Sequence, residues 1–296
     1  MSIDEFIIRV YCLVAEIFEE VVDGNTLRKR GEAPSLSDVE AITLLVVGEY
    51  LGLGSDKRIW LYFKTHWQSW FPRLGCRTSF TRQGTNLCHV QDNLRKVLSE
   101  RLSDNKDLFL FDGFPIPICH IKRYKRSTLF REDGAVGYCA AKDEHYFGFK
   151  GHVAITTCGA IRSIGVASAN IDERDMLPEV SAGLTGDIIA DKGLIRPELT
   201  RELASNGIHL HTPLRKNMDD PRPQSFIRHI MNIRRIVETL IGQLTERFKI
   251  QAIKAKDNRH LMAKITRKIL AHTVCFAINQ TINPDNPLQI DRILHP

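Results

Sequence analysis

The segment Leu108-Phe-Leu-Phe-Asp112-Gly113 is the most informative stretch of the chain. Its four consecutive apolar residues form a run of strand length that stops at an aspartate and a glycine. Side chains at the carboxyl end of such a strand leave the core and meet solvent, and the glycine permits a sharp exit. The segment therefore predicts a strand over residues 108–111 with Asp112 at its end.

A second apolar run ends in the same way. The run Asp187-Ile-Ile-Ala190 is followed by Asp191-Lys-Gly193. The carboxyl ends of parallel strands meet at one edge of an α/β sheet, so Asp112 and Asp191 can converge if their strands are neighbours. The alternative for both residues is an aspartate that only forms a turn.

The remaining elements alternate between strands and helices. In chain order, the hydrophobic periodicity predicts strands at 108–111, 146–157 and 160–169, a helix at 174–183, a strand at 187–190, a helix at 197–205, a strand at 208–212 and a helix at 224–248. An initial antiparallel group followed by alternating helices and strands implies a mixed sheet covered by helices. We predict an α/β fold, a ribonuclease H-like mixed sheet flanked by helices.

An all-helical N-terminal region precedes the predicted sheet. Apolar residues recur at helical spacing from Ile3 to Val21, and Ser37 with Glu40 has the spacing of a capping box. We therefore divide the chain into a helical region, 1–104, and an α/β domain with basic C-terminal helices, 105–296. The residues alone leave the role of the helical region open between DNA binding, dimerisation or both.

The composition is that of a folded globular protein. Of its 296 residues 43% are apolar and 26% charged, which excludes disordered, collagen-like and disulfide-scaffold classes. The apolar stretch Ala41–Val47 is far below the roughly 18 residues of a membrane span, and Asp4 and Glu5 are atypical of a signal peptide. Seven cysteines without a CxxC pair predict reduced thiols in a cytoplasmic protein with no membrane partner.

Positive charge is concentrated toward the C-terminus. The whole chain has 41 Lys and Arg against 35 Asp and Glu, whereas residues 215–268 alone carry 14 basic and 5 acidic residues. This asymmetry favours a polyanionic partner, and a solvated helical surface is the alternative. The basic residues between 254 and 268 either contact a DNA backbone or form the solvent-exposed face of a terminal helix.

A third carboxylate lies on the long predicted helix. Glu238 borders its apolar face, with Arg234 and Arg235 on the same side, and it could reach toward Asp112 and Asp191. Three hard oxygen ligands suit Mg²⁺ or Mn²⁺, and two such ions are typical of nucleases and polymerases. The alternative for Glu238 is a salt bridge within the helix.

Four motifs in order resemble one family. Asp112-Gly-Phe-Pro-Ile-Pro117, Gly148-Phe-Lys-Gly-His152, Ala190-Asp-Lys-Gly193 and Arg234-Arg-Ile-Val-Glu-Thr239 are similar to motifs of the DDE transposases of bacterial insertion sequences. The closest likeness is to the insertion sequence nine-eighty-two group. It extends from about residue 34 to the C-terminal helix.

The resemblance implies a catalytic triad of Asp112, Asp191 and Glu238 that holds two Mg²⁺ or Mn²⁺ ions. It implies cleavage of transposon ends and attack of the freed 3′-hydroxyl on target DNA, within a homodimer or larger assembly in a bacterial cytoplasm. The residues that we expect to bind double-stranded DNA are Lys122, Arg123, Lys150, Lys192, Arg234 and Arg235.

Other readings of the sequence stay open. Gln83, Leu194 and Thr245 depart from the family pattern, so a decayed or host-adopted transposase that only binds DNA is the main alternative. A stand-alone metal-dependent nuclease is a further one.

Three other groups of residues compete for a role. Asp187 is a rival for the second acid, at the start of its strand rather than the end. Asp172 and Asp175 either support the site or cap the next helix, and capping is favoured. His209 and His211 share one strand face, but no further zinc ligand lies at suitable spacing.

Overall fold

The structure of the protein is a computed structural model that describes residues 1–24, 27–28, 32–103, 107–140, 142–214 and 218–294. Its helices and strands in chain order are α1 (Ile3–Val22), α2 (Asp38–Tyr50), α3 (Asp56–His66), α4 (Arg77–Asn86), α5 (Cys88–Leu102), β1 (Leu108–His120), α6 (Ile121–Tyr124), β2 (Ala135–Cys139), β3 (Glu144–Thr156), β4 (Ile161–Ser168), α7 (Glu173–Val180), β5 (Gly186–Ile189), α8 (Pro197–Ser205), β6 (Ile208–His211), α9 (Gln224–Glu246) and α10 (Asn258–Ile282).

The chain forms two compact units that differ from a simple division along the sequence. A helical unit combines residues 1–101 with residues 244–296, and a sheet unit contains residues 102–243. The first transition lies close to the predicted boundary at residue 104. The predicted domain 105–296 kept the C-terminal helices with the sheet, whereas their contacts group them with the N-terminal helices.

In the helical unit, α2 is buried around its whole circumference. Every residue from Ala41 to Tyr50 is buried, and the helix packs against α1 and α10. The predicted capping box is present: Glu40 N donates to Ser37 Oγ at 3.2 Å, and Ser37 N donates to Glu40 Oε2 at 2.8 Å. The capped start orients a helix that has no polar face of its own.

A buried ion cluster joins α2 to α10. Arg267 Nε and Lys268 Nζ each donate to the Glu49 carboxylate at 2.6 Å, and Arg267 also pairs with Asp56. Both basic side chains are less than a tenth exposed. The two alternatives for the basic residues of 254–268 were a surface that follows a DNA backbone and the solvated face of a helix. Both are wrong for Arg267 and Lys268, because α10 is enclosed at these positions.

The sheet unit is built on a six-stranded mixed sheet. Its strand order is β2–β3–β1–β5–β6, and β4 pairs with β3. The pairs β1–β3, β2–β3 and β3–β4 are antiparallel, whereas β1–β5 and β5–β6 are parallel. The short parallel ladder of β1 and β5 pairs Leu108 with Asp187 and Leu110 with Ile189.

Strand β1 is longer than predicted, and Asp112 lies within it. Residues 112–120 continue the antiparallel pairing with β3, so the aspartate and glycine do not end the strand. Pro115 and Pro117 are tolerated because they lie past Leu110, the last residue of β1 paired with β5, where β1 is an edge on that side. Strand β2 was not predicted, since five residues with a central glycine carry no clear alternation.

Helices cover the sheet as expected. Helix α7 packs on β3 and β4, and α8 packs beside β6. The buried cluster between these layers includes Phe109, Phe111, Leu177, Ile188 and Leu203. The predicted α/β fold, a ribonuclease H-like mixed sheet flanked by helices and preceded by a helical region, is confirmed. No helix among the described residues is long and apolar enough to span a membrane.

Removing Glu49 should destabilise the helical unit strongly. The Glu49→Ala variant leaves Arg267 and Lys268 buried without their shared carboxylate, which costs about 3–5 kcal/mol. Urea unfolding followed by far-ultraviolet circular dichroism measures this loss. Glu5→Ala is the matched control, because its ion pair with Arg9 is about half exposed and contributes about 1 kcal/mol or less. Equal losses in the two variants would contradict the prediction.

Candidate active site

Asp112 lies opposite Val153 of β3, two residues beyond the last β1 residue paired with β5. Its Oδ1 accepts a hydrogen bond from Gly113 N at 2.8 Å. Burial raises the pKa of Asp112 to about 6 against the opposing hydrogen bond from Gly113. The charges of Glu173 and Asp191 raise this pKa further, and that of Arg234 lowers it. The carboxylate is therefore held in surroundings that disfavour its negative charge.

Asp191 occupies the equivalent position after β5. It lies two residues beyond Ile189, the last β5 residue paired with β1. It begins a single turn of 3-10 helix, Lys192–Leu194. Its Oδ1 lies 3.1 Å from Nη1 of Arg234 on α9, whose side chain is only 18% exposed. The structure thus brings two predicted acids and one predicted base, Asp112, Asp191 and Arg234, within electrostatic range of one another.

Glu238 lies one helical turn beyond Arg234 and is exposed. Its neighbours Val237 and Leu240 are fully buried and fix the side of α9 that meets the core. Within the described ranges, no three Asp, Glu, His or Cys side chains are grouped closely enough to hold a metal ion. The three predicted carboxylates are therefore not assembled into a metal cage, and Arg234 provides the positive charge beside Asp191.

Glu173, which the sequence analysis missed, lies over Gly113. A methyl group on Gly113 would come within 2.9 Å of Glu173 Oε1. Lys150, expected to bind DNA, has its Nζ 3.4 Å from the same oxygen. Glu173 begins α7 directly after Asp172, so an acidic first turn after a predicted strand was the available signal. A side chain at position 113 would therefore have to displace the carboxylate of Glu173.

The other basic residues that were predicted to bind DNA are exposed. Lys122 and Arg123 are on the short helix α6, Lys192 follows Asp191, and Arg235 is on α9. None of these four forms an ion pair with a described residue. They are free to meet a ligand, and Lys150 and Arg234 are the two predicted bases in ion pairs with acids around Asp112.

His152 lies beside Gly113, on the same side of it as Glu173. It pairs with Gly113 in the sheet, is fully buried and stacks on Phe111 at a centroid distance of 5.9 Å. Burial lowers its pKa to about 4, so the ring is neutral at pH 7. Neither ring nitrogen has a hydrogen-bond partner in the part of the chain that the structure describes. A Cβ on Gly113 would lie 3.2 Å from Cδ2 of this ring, so the ring and Glu173 together limit the space for a larger residue there.

The competing candidates have structural roles. Asp172 caps α7, as favoured, by accepting from Arg174 N at 2.9 Å, and Asp175 pairs with Arg196 at 2.6 Å. Asp187 lies at the start of β5 and contacts His211 Nε2 at 2.8 Å. That contact accounts for one histidine of the possible zinc pair, and no metal-binding group is found among the described residues.

At neutral pH and without metal, the ionised side chain of Asp112 should lower the free energy of unfolding. The pKa of Asp112 is higher in the folded state than in the unfolded state. The protonated side chain therefore stabilises the folded state fully below the ordinary pKa of aspartate, and this stabilisation is lost as the pH rises through about 6. Asp112→Asn should therefore exceed the wild type in free energy of unfolding by about 2 kcal/mol at pH 7, after a discount for partial exposure. The difference should disappear as the pH falls toward about 4.

Urea unfolding in EDTA at several pH values measures this difference. Asp133→Asn, which changes an exposed acid of the same unit, is the control and should change stability by less than about 0.5 kcal/mol. A lower stability of Asp112→Asn at pH 7 than at pH 5, relative to wild type, would contradict the assigned sign.

Comparison with known proteins places this site in context. No curated protein matches the chain by sequence. Among solved structures, the chain is similar to the piggyBac transposase in a synaptic complex with hairpin DNA, with a TM-score of 0.49 and 11% identity. The alignment covers 96% of this chain and 76% of the piggyBac chain.

A family model gives the direct assignment. The model described as transposase DDE domain matches residues 102–260, more than half of the chain. The matched range contains Asp112, Asp191, Glu173 and Glu238. The narrower insertion sequence nine-eighty-two group stays a prediction. Because this match covers more than half of the chain, the chain belongs to the transposase DDE domain family.

Proposed function

We propose that this transposase cleaves double-stranded DNA at the ends of its transposon and joins the freed 3′-hydroxyl to target DNA. One arrangement carries the proposal. Asp112 and Asp191 lie at equivalent positions past the β1–β5 ladder, inside the matched transposase domain. In each step a hydroxyl oxygen, first of water and then of the DNA end, bonds to phosphorus while the bond to a 3′-oxygen breaks.

The donor set suits divalent cations. Asp112 and Asp191 offer hard carboxylate oxygens, which Mg²⁺ and Mn²⁺ prefer. Burial, and to a lesser degree the charges of Glu173 and Asp191, raises the pKa of Asp112, and a bound cation would favour its charged form. Two bound ions would polarise the phosphodiester and activate the attacking hydroxyl. Glu238, one turn from Arg234, is the proposed third ligand, and Glu173 offers another carboxylate next to Asp112.

The basic residues of the chain would position the phosphate. Arg234 is paired with Asp191, and its buried Nε has no hydrogen-bond partner within the described ranges. The Nη groups of this guanidinium would bind a phosphate oxygen once a cation neutralises Asp191. Lys150 and the exposed Lys192 would add charge around the same strand ends.

The partners follow from this chemistry. Cutting and joining two transposon ends requires both ends at once, so we propose a homodimer or larger assembly on double-stranded DNA. The exposed Lys122, Arg123 and Arg235 would contact its backbone. The cytoplasmic location is proposed on the same grounds, since the substrate is bacterial DNA.

A non-catalytic DNA-binding protein is the second candidate. One observation favours it: the described residues contain no assembled metal-binding group, and Arg234 pairs with Asp191. A transposase without its catalytic step would still carry the exposed basic residues.

Divalent metal should stabilise the wild type more than variants that lack Asp112 or Asp191. Mg²⁺ or Mn²⁺ at a hundredfold excess over its Kd should raise the free energy of unfolding by about 2.7 kcal/mol. Asp112→Asn and Asp191→Asn should lose most of this gain, because each removes a carboxylate ligand. Apparent Tm with metal or with EDTA is the measurement, and Asp133→Asn is the control. Equal metal-induced shifts in all variants would contradict the assigned ligands.

Cleavage should depend on the proposed acids. On linear DNA carrying the terminal repeats, wild-type protein should cut in Mg²⁺ and not in EDTA, and Asp191→Asn or Glu238→Gln should reduce the rate at least a hundredfold. Gel analysis of end-labelled DNA follows the reaction. Glu173→Gln reports whether Glu173 contributes.

Each outcome of the cleavage assay distinguishes the candidates. Full activity of Asp191→Asn or Glu238→Gln would contradict the triad. DNA binding without cleavage by the wild type in Mg²⁺ would favour the non-catalytic protein.

A further inference from the structure

The helical unit contains an open cavity between α4 and the first residues of α10. Its volume is 290 Å³. Both helices belong to this unit and pack against each other. Helix α4 lies outside residues 102–260, the range matched to the transposase domain. The cavity is therefore a feature separate from the acidic site on the sheet.

The cavity is lined by positive charge. Arg77 and Arg82 come from α4, and Arg259 comes from α10. None of the lining residues is acidic, and neither Arg77 nor Arg82 forms an ion pair with any residue that the structure describes. The neighbouring acid, Asp257, caps α10 and contacts the lining residue His260 at 2.8 Å. Three guanidinium groups thus meet in one cavity without a carboxylate among its lining residues.

Hydroxyl and amide groups complete the lining. Thr78, Thr81 and Thr85 lie three and four residues apart and share one face of α4. Arg259 donates to Asn86 Oδ1 at 2.5 Å, which orients its guanidinium. Helix α4 has no side-chain cap and no acid in its first turn, so the backbone N–H groups at its start add to the positive potential. The lining is dominated by hydrogen-bond donors.

We propose that this arginine–threonine cavity binds phosphates of the duplex DNA backbone. The inference rests on DNA being the substrate of the transposase, and it adds a DNA-binding surface in the helical unit. Guanidinium forks match phosphate oxygens, and the hydroxyl of Thr81 can donate to them. The hydroxyl of Thr85 donates to Thr81 O within the helix. No Phe, Tyr or Trp side chain lines the cavity to stack on a base, and the ring of the lining His260 contacts the carboxylate of Asp257. The cavity would therefore position DNA without selecting its sequence.

Two arginine substitutions test the cavity. The double variant Arg77→Gln/Arg82→Gln should weaken binding to a fluorescent duplex of arbitrary sequence at least tenfold in EDTA. The slope of log K against log salt should become shallower by about 0.9 for each phosphate that the variant no longer neutralises. Fluorescence anisotropy at several salt concentrations provides both values. Arg58→Gln, an exposed arginine of α3 outside the cavity, is the matched control and should bind as the wild type does.

A chemical footprint gives an independent readout. Cys76 is exposed and directly precedes Arg77. Hydrogen bonding with Ser79 and Thr78 lowers the pKa of Cys76 to about 6, which favours the reactive thiolate at pH 7. Saturating duplex DNA should slow its alkylation several-fold and leave the exposed Cys12 of α1 unaffected, as measured by mass spectrometry.

The outcomes separate this inference from the proposed function. If the wild type binds duplex DNA and the double variant binds it with the same affinity and salt slope, the cavity proposal is overturned while the proposed function stands. If the wild type does not bind DNA at all, the proposed function fails first. Equal competition by polyglutamate and by unlabelled duplex would overturn DNA as the ligand. Thermal unfolding of the double variant should match wild type, and tenfold weaker binding by a folded variant supports the proposal.

Discussion

Three residues of β1, Leu108 to Leu110, pair in parallel with residues 187–189 of β5, and the candidate site depends on this short ladder. Two residues beyond it, the strands no longer pair, and Asp112 and Asp191 emerge at matching positions. A slip of one residue in the register would turn one of the two side chains to the other face of the sheet. The buried side chains of Phe109, Phe111 and Ile188 hold the register, so core packing determines where the acids lie.

The candidate site holds more acidic than basic side chains, so packing elsewhere in the fold must stabilise it. Asp112 is partly buried near two further carboxylates, and within the described ranges Lys150 and Arg234 are the basic residues paired with the acids of this cluster. Such clusters are typical of functional sites, where charges are arranged for a ligand rather than for stability. The buried cluster around Glu49 is the opposite case, because its two strong cations match its acids and tie α2 to α10.

The basic C-terminal stretch illustrates the limit of charge counting. Arg259 is exposed in a cavity lined by other arginines, whereas Arg267, eight residues later on the same helix, is enclosed and paired. The sequence shows the same residue type at both positions. Which one meets solvent depends on the neighbours that α10 acquires from α2 and α4, and these lie far away in the chain.

The sequence by itself determined the alternation of strands and helices, the capping box at Ser37, and the two aspartates that follow apolar runs, because these depend on local periodicity and short-range hydrogen bonds. Only the tertiary structure decided that β1 continues past Asp112, since its second half is stabilised by pairing with β3. It also brought Glu173 over Gly113 and Arg234 to Asp191, which join residues 43 or more positions apart. Long-range contacts of this kind leave no periodic signal, because they arise from the packing of whole elements.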